Sequence, residues 1–302
     1  MHSDPVMAVM VGVVAGSVAR LYMLRIDYRM YPSYPQGAVI HLTFGLIASF
    51  LGALAVPALV AKDFAAASFL ALAASQFREV RTVERETLAN MESTELVPRG
   101  TAYIEGIARV FEARNYLALA TALISTTLAS LLPLANGYRW LIALIVGFLL
   151  PVLFHGLMRG LTVGDVADVK LADIKFAGPI LTVAGVQMMN VGLPSAREKY
   201  RQHGMALLVA PRDPDAKATL ANLGQRQAIA HEIAGQLGVR KDIDEPEYTP
   251  IVRRNTKTGT LSVVAIPGEK SEEALMMAVR RVPLLEGARR RPLASRAGQI
   301  AD

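Results

Sequence analysis

The chain has 302 residues, 52% of them hydrophobic and 19% charged, with a formal net charge of +6. Its mean hydropathy of +0.33 is too apolar for an average soluble domain, yet the charge is too plentiful for a membrane bundle alone, so a mixed chain is expected. With no cysteine, disulfides, thiolate metal sites and thiol nucleophiles are excluded.

The charge is unevenly placed. Residues 1–195 carry 14 Lys and Arg against 13 Asp and Glu, and residues 196–302 carry 18 against 13. A basic C-terminal part suits anionic membrane lipid at least as well as nucleic acid, and lipid is the partner expected here.

A helix needs about 20 apolar residues to cross a bilayer. Residues 6–24, 37–60, 116–135 and 140–157 supply such runs. Residues 64–77 are shorter and rich in alanine, and residues 176–193 are interrupted by Gly178-Pro179, Gln187 and Asn190. The first run lacks a basic start and ends in Arg20 and Arg25, which predicts a retained span instead of a cleaved signal. The expected architecture is mainly α: a polytopic bundle of about six segments over residues 1–195, a small basic α/β domain over 196–288, and a basic flexible tail over 289–302.

Positively charged short loops stay in the cytoplasm. With the N-terminus outside, 11 Lys and Arg fall on inner loops against Lys62 and Arg139 outside. This predicts a multi-pass protein of the cytoplasmic (inner) membrane. The C-terminal domain is expected in the cytoplasm, which requires 176–193 to be re-entrant or tilted and not a full crossing.

Residues 78–115 form a long inner stretch of alternating charge. Val80, Val83 and Thr87, then Ile104, Ile107, Ala108 and Phe111, recur at helical spacing, predicting two amphipathic helices broken at Pro98-Arg99-Gly100. Arg99, Arg109 and Arg114 are the stretch's candidates for holding a partner, and Glu105 is placed to pair with Arg109 one turn on.

In the C-terminal part, residues 205–210 predict a strand, and Leu220, Leu223, Ala230, Ile233 and Leu237 a helix. Residues 249–253 and 261–266 flank Asn255-Thr256-Lys257-Thr258-Gly259, which predicts a hairpin, and Ser271 caps a helix reaching Val282. There is no Walker loop, no G-x-G-x-x-G and no H-E-x-x-H. No cofactor is expected, and a binding module is the natural role.

Residues Tyr103-Ile104-Glu105-Gly106-Ile107-Ala108 spell a distinctive signature, with Glu95-Leu96-Val97-Pro98-Arg99-Gly100 before it and Val110-Phe111-Glu112-Ala113-Arg114-Asn115-Tyr116 after it. Together with Leu24-Arg25-Ile26-Asp27-Tyr28-Arg29, Tyr31-Pro32-Ser33-Tyr34-Pro35 and Leu223-Gly224-Gln225-Arg226-Gln227-Ala228-Ile229-Ala230-His231, it resembles the YIEGIA family of spore-forming Gram-positive bacteria. The resemblance spans nearly the whole chain. It implies a multi-span membrane protein linked to spore formation that works with a small capping subunit, and it implies no reaction.

Ionisable residues at membrane segments are costly and are therefore site candidates. The predicted topology puts Asp27, Asp165, Asp168 and Asp173 on the cytoplasmic boundary. Two close carboxylates can share a proton, one acting as base toward water and the other as acid toward substrate. Ile26-Asp27, Gly164-Asp165 and Asp168-Val169-Lys170-Leu171-Ala172 distantly resemble prepilin-peptidase-like G-x-G-D aspartyl proteases, which would make Asp27 with Asp165 or Asp168 catalytic. Thr162 stands where that motif's first glycine belongs. The other reading is a polar loop. His41 and His155 could meet a metal, but no spaced ligand cluster supports one, and a hydrogen-bonded interhelical role is preferred. A transporter ranks third, on the polar Gln187 and Asn190.

Overall fold

In the computed structural model, residues 4–27, 35–158, 161–240 and 248–294 are described. Contacts divide the chain into two compact units: Met1–Glu86 with Ile107–Arg159, and Thr87–Gly106 with Gly160–Asp302.

The first unit is helical: α1 (Pro5–Asp27), α2 (Pro35–Val60), α3 (Phe64–Ser75), most of α4 (Phe77–Met91), most of α5 (Thr101–Leu131) and α6 (Asn136–Met158). Three stretches are long and apolar enough to cross a membrane, Pro5–Leu24, Gly37–Val60 and Gly137–Phe154. That is fewer than the six expected. Residues 116–131 are helical within α5, but only 16 residues lie between the polar Arg114-Asn115 and the end of the helix at Leu131, which is short of a full span. Segment 64–77 gives only the 12-residue α3, about 18 Å long against a hydrocarbon core of about 30 Å.

Small residues hold the bundle together. A Cβ on Gly16 would stand 2.6 Å from Ser49 Oγ and 2.8 Å from the Ala118 carbonyl, and one on Gly52 would stand 2.2 Å from the Leu119 carbonyl. Buried Ala8, Ala15, Ala19, Ala48, Ala118 and Ala122 continue the pattern. Such residues let helix backbones approach closely where lipid supplies no hydrophobic drive.

Between α4 and α5 lie the predicted break at Pro98-Arg99-Gly100 and, before it, a 3-10 turn (Glu92–Thr94) that the pattern did not show. The buried face of α5 is the expected one, with Ile104, Ile107, Ala108 and Phe111 inside. On α4 the buried stripe is Val80, Glu84 and Leu88, while Val83 is exposed. Spacing by three had selected the wrong neighbours.

The second unit starts well before residue 196. It contains α7 (Val163–Val166), β1 (Ala167–Ala172), β2 (Ile174–Ala177), β3 (Ile180–Val183), β4 (Val186–Asn190) and α8 (Pro194–His203). It continues with β5 (Met205–Pro211), α9 (Pro214–Leu220), α10 (Leu223–Leu237), β6 (Ile251–Arg254), β7 (Leu261–Ala265) and α11 (Glu272–Arg281). Strands β1-β5-β7-β6 form an antiparallel sheet, and β2-β3-β4 form a meander. Leu181, Val183 and Met188 of the meander pack with Ala206, Val264 and Ile266 of the larger sheet region, and Ser262 Oγ donates to the Val183 carbonyl at 3.0 Å.

Residues 176–193 therefore form no membrane segment. Their apolar run is two turns and three strands with alternating burial. Gly178-Pro179 joins β2 to β3, and Ala184-Gly185, with φ of +48 and +78, joins β3 to β4. Two consecutive positive-φ residues match the twist of a tight hairpin.

The later elements fall where the pattern put them, with two refinements. The long helix is split into α9 and α10 by Asn222, whose side chain accepts from the Gln225 N–H at 3.1 Å. The tail is pinned at its start, where the Arg290 N–H donates to Thr219 Oγ1 at 3.1 Å.

Candidate functional site

The first part of the signature segment, Tyr103–Gly106, is built into the second unit by a polar lock. Glu92 accepts from the Arg99 N–H at 3.0 Å and the Gly100 N–H at 2.8 Å, fixing the break before α5. The Arg99 guanidinium, 5% exposed, lies 2.9 Å from Glu95 and 3.5 Å from Glu92. Two carboxylates around one buried cation offset its desolvation.

Gly100 carries φ of +82, and a Cβ there would meet Gln227 Nε2 at 2.2 Å. Gln227 Oε1 accepts from the Tyr103 N–H at 3.0 Å, sharing that donor with the Gly100 carbonyl at 3.1 Å. Gly224 brings α10 so near that a Cβ would lie 2.6 Å from the Ala102 carbonyl. Tyr103 meets His231 edge-on at 6.0 Å between centroids. Burial, assisted by Glu232, raises the Tyr103 hydroxyl pKa and keeps it protonated. Burial and the Arg99 charge hold His231 below its usual range, against the opposite pull of Glu95 and Glu92. The His231–Glu95 separation of 4.0 Å is too long to reverse that.

Beside the lock is a groove of about 470 Å³, lined by the 96–100 loop, by Leu223, Arg226, Gln227 and Ala230 of α10, and by residues 248–252. Leu96, Leu223 and Tyr248, all lining it, are among the exposed large apolar residues of the chain. Apolar exposure concentrated at a concave site marks a place for binding.

The candidate residues are placed as follows. Glu105 and Gly106 are half-buried, and a Cβ on Gly106 would stand 3.1 Å from Leu285. Of the basic candidates, Arg99 and Arg114 are buried and Arg109 is exposed. Asp165 accepts from the Thr162 N–H at 2.7 Å and its hydroxyl at 2.9 Å, closing the capping box of α7. These bonds lower its pKa. Asp168 of β1 pairs at 2.9 Å with Arg212, the residue that follows β5. Asp27 ends α1, and its side chain lies outside the described residues, as do the His155 side chain, residues 31–34 and residues 295–302.

In the first unit, His41 lies 3.5 Å from Glu84 and stacks on Phe111 at 4.0 Å, with Arg20 5.6 Å above the same ring. A Cβ on Gly45 would stand 2.3 Å from Arg20 Cγ, so that glycine makes room for the arginine stem. Among the described residues no three His, Asp or Glu gather as a metal site. The roles of half-buried Gln227 and Glu92 and of buried Glu84 were missed from sequence, since each looks like an ordinary polar residue of an exposed face.

These observations define a class of protein: mostly helical, with helices of membrane-spanning length and a small antiparallel α/β unit that includes the start of the signature segment. The family model described as "YIEGIA protein" matches residues 8–295, and the chain belongs to that family. It is 44% identical over 290 residues, 96% of each chain, to the "Uncharacterized protein YphB" of Bacillus subtilis (strain 168). No solved structure matches it.

Proposed function

We propose that this is a multi-pass protein of the cytoplasmic membrane, linked to spore formation, that acts as a scaffold or regulator and holds a small capping subunit. The observation that carries the reading is the groove beside the signature segment, with Leu96, Leu223 and Tyr248 exposed around it. Arg99, Gly100 and Gln227 in its lining are tied up in folding bonds, which suits a preformed binding face better than a catalytic centre.

Orientation follows the arginine distribution. With residues 176–193 in a sheet, this reading counts the three helices of spanning length together with the shorter α3 and the 116–131 part of α5 as five crossings, an odd number that takes an external N-terminus to a cytoplasmic C-terminal unit. The aspartyl-protease reading keeps only its local motif as support. Asp165, with its lowered pKa, is poorly suited to donate a proton near neutrality.

The test is co-purification of the full-length protein with the capping subunit, co-expressed in membranes. Leu96→Glu and Tyr248→Glu are expected to abolish the complex while leaving the protein folded. An undiminished complex in both variants would refute the groove as the binding face.

A further inference from the structure

Strand β6 ends the larger sheet, whose order is β1-β5-β7-β6. The Asn255 N–H donates to the Thr260 carbonyl at 2.8 Å, so Ile251, Arg253 and Asn255 turn their backbone groups toward β7. Alternation along an antiparallel strand then turns those of Val252 and Arg254 away from the sheet. Among the described residues none hydrogen-bonds to them there. The opposite edge differs, since the outward carbonyl of Val169 on β1 accepts from Arg280 Nη2 at 3.2 Å.

The groove of about 470 Å³ runs along this open edge. Residues 248–252 all line it, although neighbouring side chains of a strand point to opposite faces. A cleft over one face would be lined by every second residue, whereas a cleft lined by consecutive residues follows the edge. At about 3.3 Å per residue, five residues span about 16 Å, the length of a short strand. Unpaired strand edges are templates for another chain.

The charge of the lining selects that chain. Two of the described lining residues, Arg99 and Arg226, are cationic and none is a carboxylate. Glu92 and Glu95 match Arg99, while Arg226 has no ion-pair partner among the described residues. A second copy of the chain suits the edge poorly, because pairing β6 with β6 brings two Arg253-Arg254 pairs together.

We propose that the groove holds its partner by strand addition: an extended segment of alternating apolar residues pairs with the outer edge of β6, and a carboxylate on that segment meets Arg226. Main-chain bonds supply affinity in such a mode, and alternate side chains supply specificity. This rests on the groove being the partner's binding face and adds how the partner is held.

The probe is a blocked, fluorescein-labelled peptide, Val-Thr-Val-Glu-Val-Thr, read by anisotropy against the full-length protein in uncharged detergent. The peptide should bind and slow hydrogen exchange at the amides of Val252 and Arg254, but not at those of Ile251 and Arg253, which already face β7. Val252→Pro removes one outward N–H, a change that edge strands tolerate. It should weaken the peptide about threefold or more at an unchanged melting temperature, as loss of one hydrogen bond requires. Val252→Thr, which keeps the N–H, should not. Arg226→Gln should weaken this peptide and not one with glutamine in place of glutamate. Absence of peptide binding, unchanged exchange at Val252 and Arg254, or equal binding by a folded Val252→Pro would overturn strand addition. If Val252→Pro does not fold, exchange in the natural protein decides. Should strand addition fail while Leu96→Glu and Tyr248→Glu still abolish the capping-subunit complex, the groove remains the binding face; should both variants keep that complex, the two readings fall together.

Discussion

Gly100→Ala tests the polar lock most sharply, because two separable effects meet there. Placing a Cβ at φ of +82 costs about 1–2 kcal/mol for the backbone alone. The same Cβ would fall 2.2 Å from Gln227 Nε2, so Gln227 must swing away and leave the Tyr103 N–H only its bond to the Gly100 carbonyl, adding about 0.5–1.5 kcal/mol for the lost hydrogen bond. The sum, about 1.5–3.5 kcal/mol, corresponds to local opening at least about tenfold more frequent. Hydrogen exchange of the full-length protein reads this at the amides of the α5 start and of α10. In a Gln227→Ala background the clash has no object, and Gly100→Ala should then cost only its backbone share, leaving about 0.5–1.5 kcal/mol of coupling. Additive effects of the two substitutions would refute the reasoning.

Three more outcomes are expected. His231, depressed in the fold below its ordinary 6.5, binds fewer protons than in the unfolded chain between its two pKa values. Its contribution is present above about pH 6.5 and is lost as pH falls toward the folded value, so His231→Gln should flatten melting temperature against pH between 7 and 5. Gly52→Leu should cost about 1–3 kcal/mol or more through overpacking on the Leu119 carbonyl, reducing monodisperse protein after extraction. Gly137→Leu, with nothing within 4 Å, should leave that yield unchanged. Asp165→Ala should lower the melting temperature slightly at neutral pH, and less at acid pH as the natural carboxylate protonates.

Much of this fold was legible where one local rule dominated. The β6-β7 hairpin, the Ser271 cap and the helix break at Pro98-Arg99-Gly100 each follow from turn or cap chemistry confined to a few residues. Residues 176–193 misled because 18 residues without a charged side chain satisfy a membrane criterion, although two turn pairs at six-residue spacing also mark a meander. The signature could be found from sequence but its role could not. The acceptors for the Arg99, Gly100 and Tyr103 amides come from Glu92 and from Gln227, more than 120 residues away, and such pairing leaves no periodic trace.

The central claim, a membrane-held binding protein and not a protease, is tested most directly by the fate of its partner. The capping subunit is co-expressed in membranes with the natural full-length protein and with the Asp27→Asn, Asp168→Asn double variant, and complex and partner length are followed by blot. The account predicts an intact partner bound equally by both. Loss or shortening of the partner with the natural protein, stopped by the double variant, would contradict it.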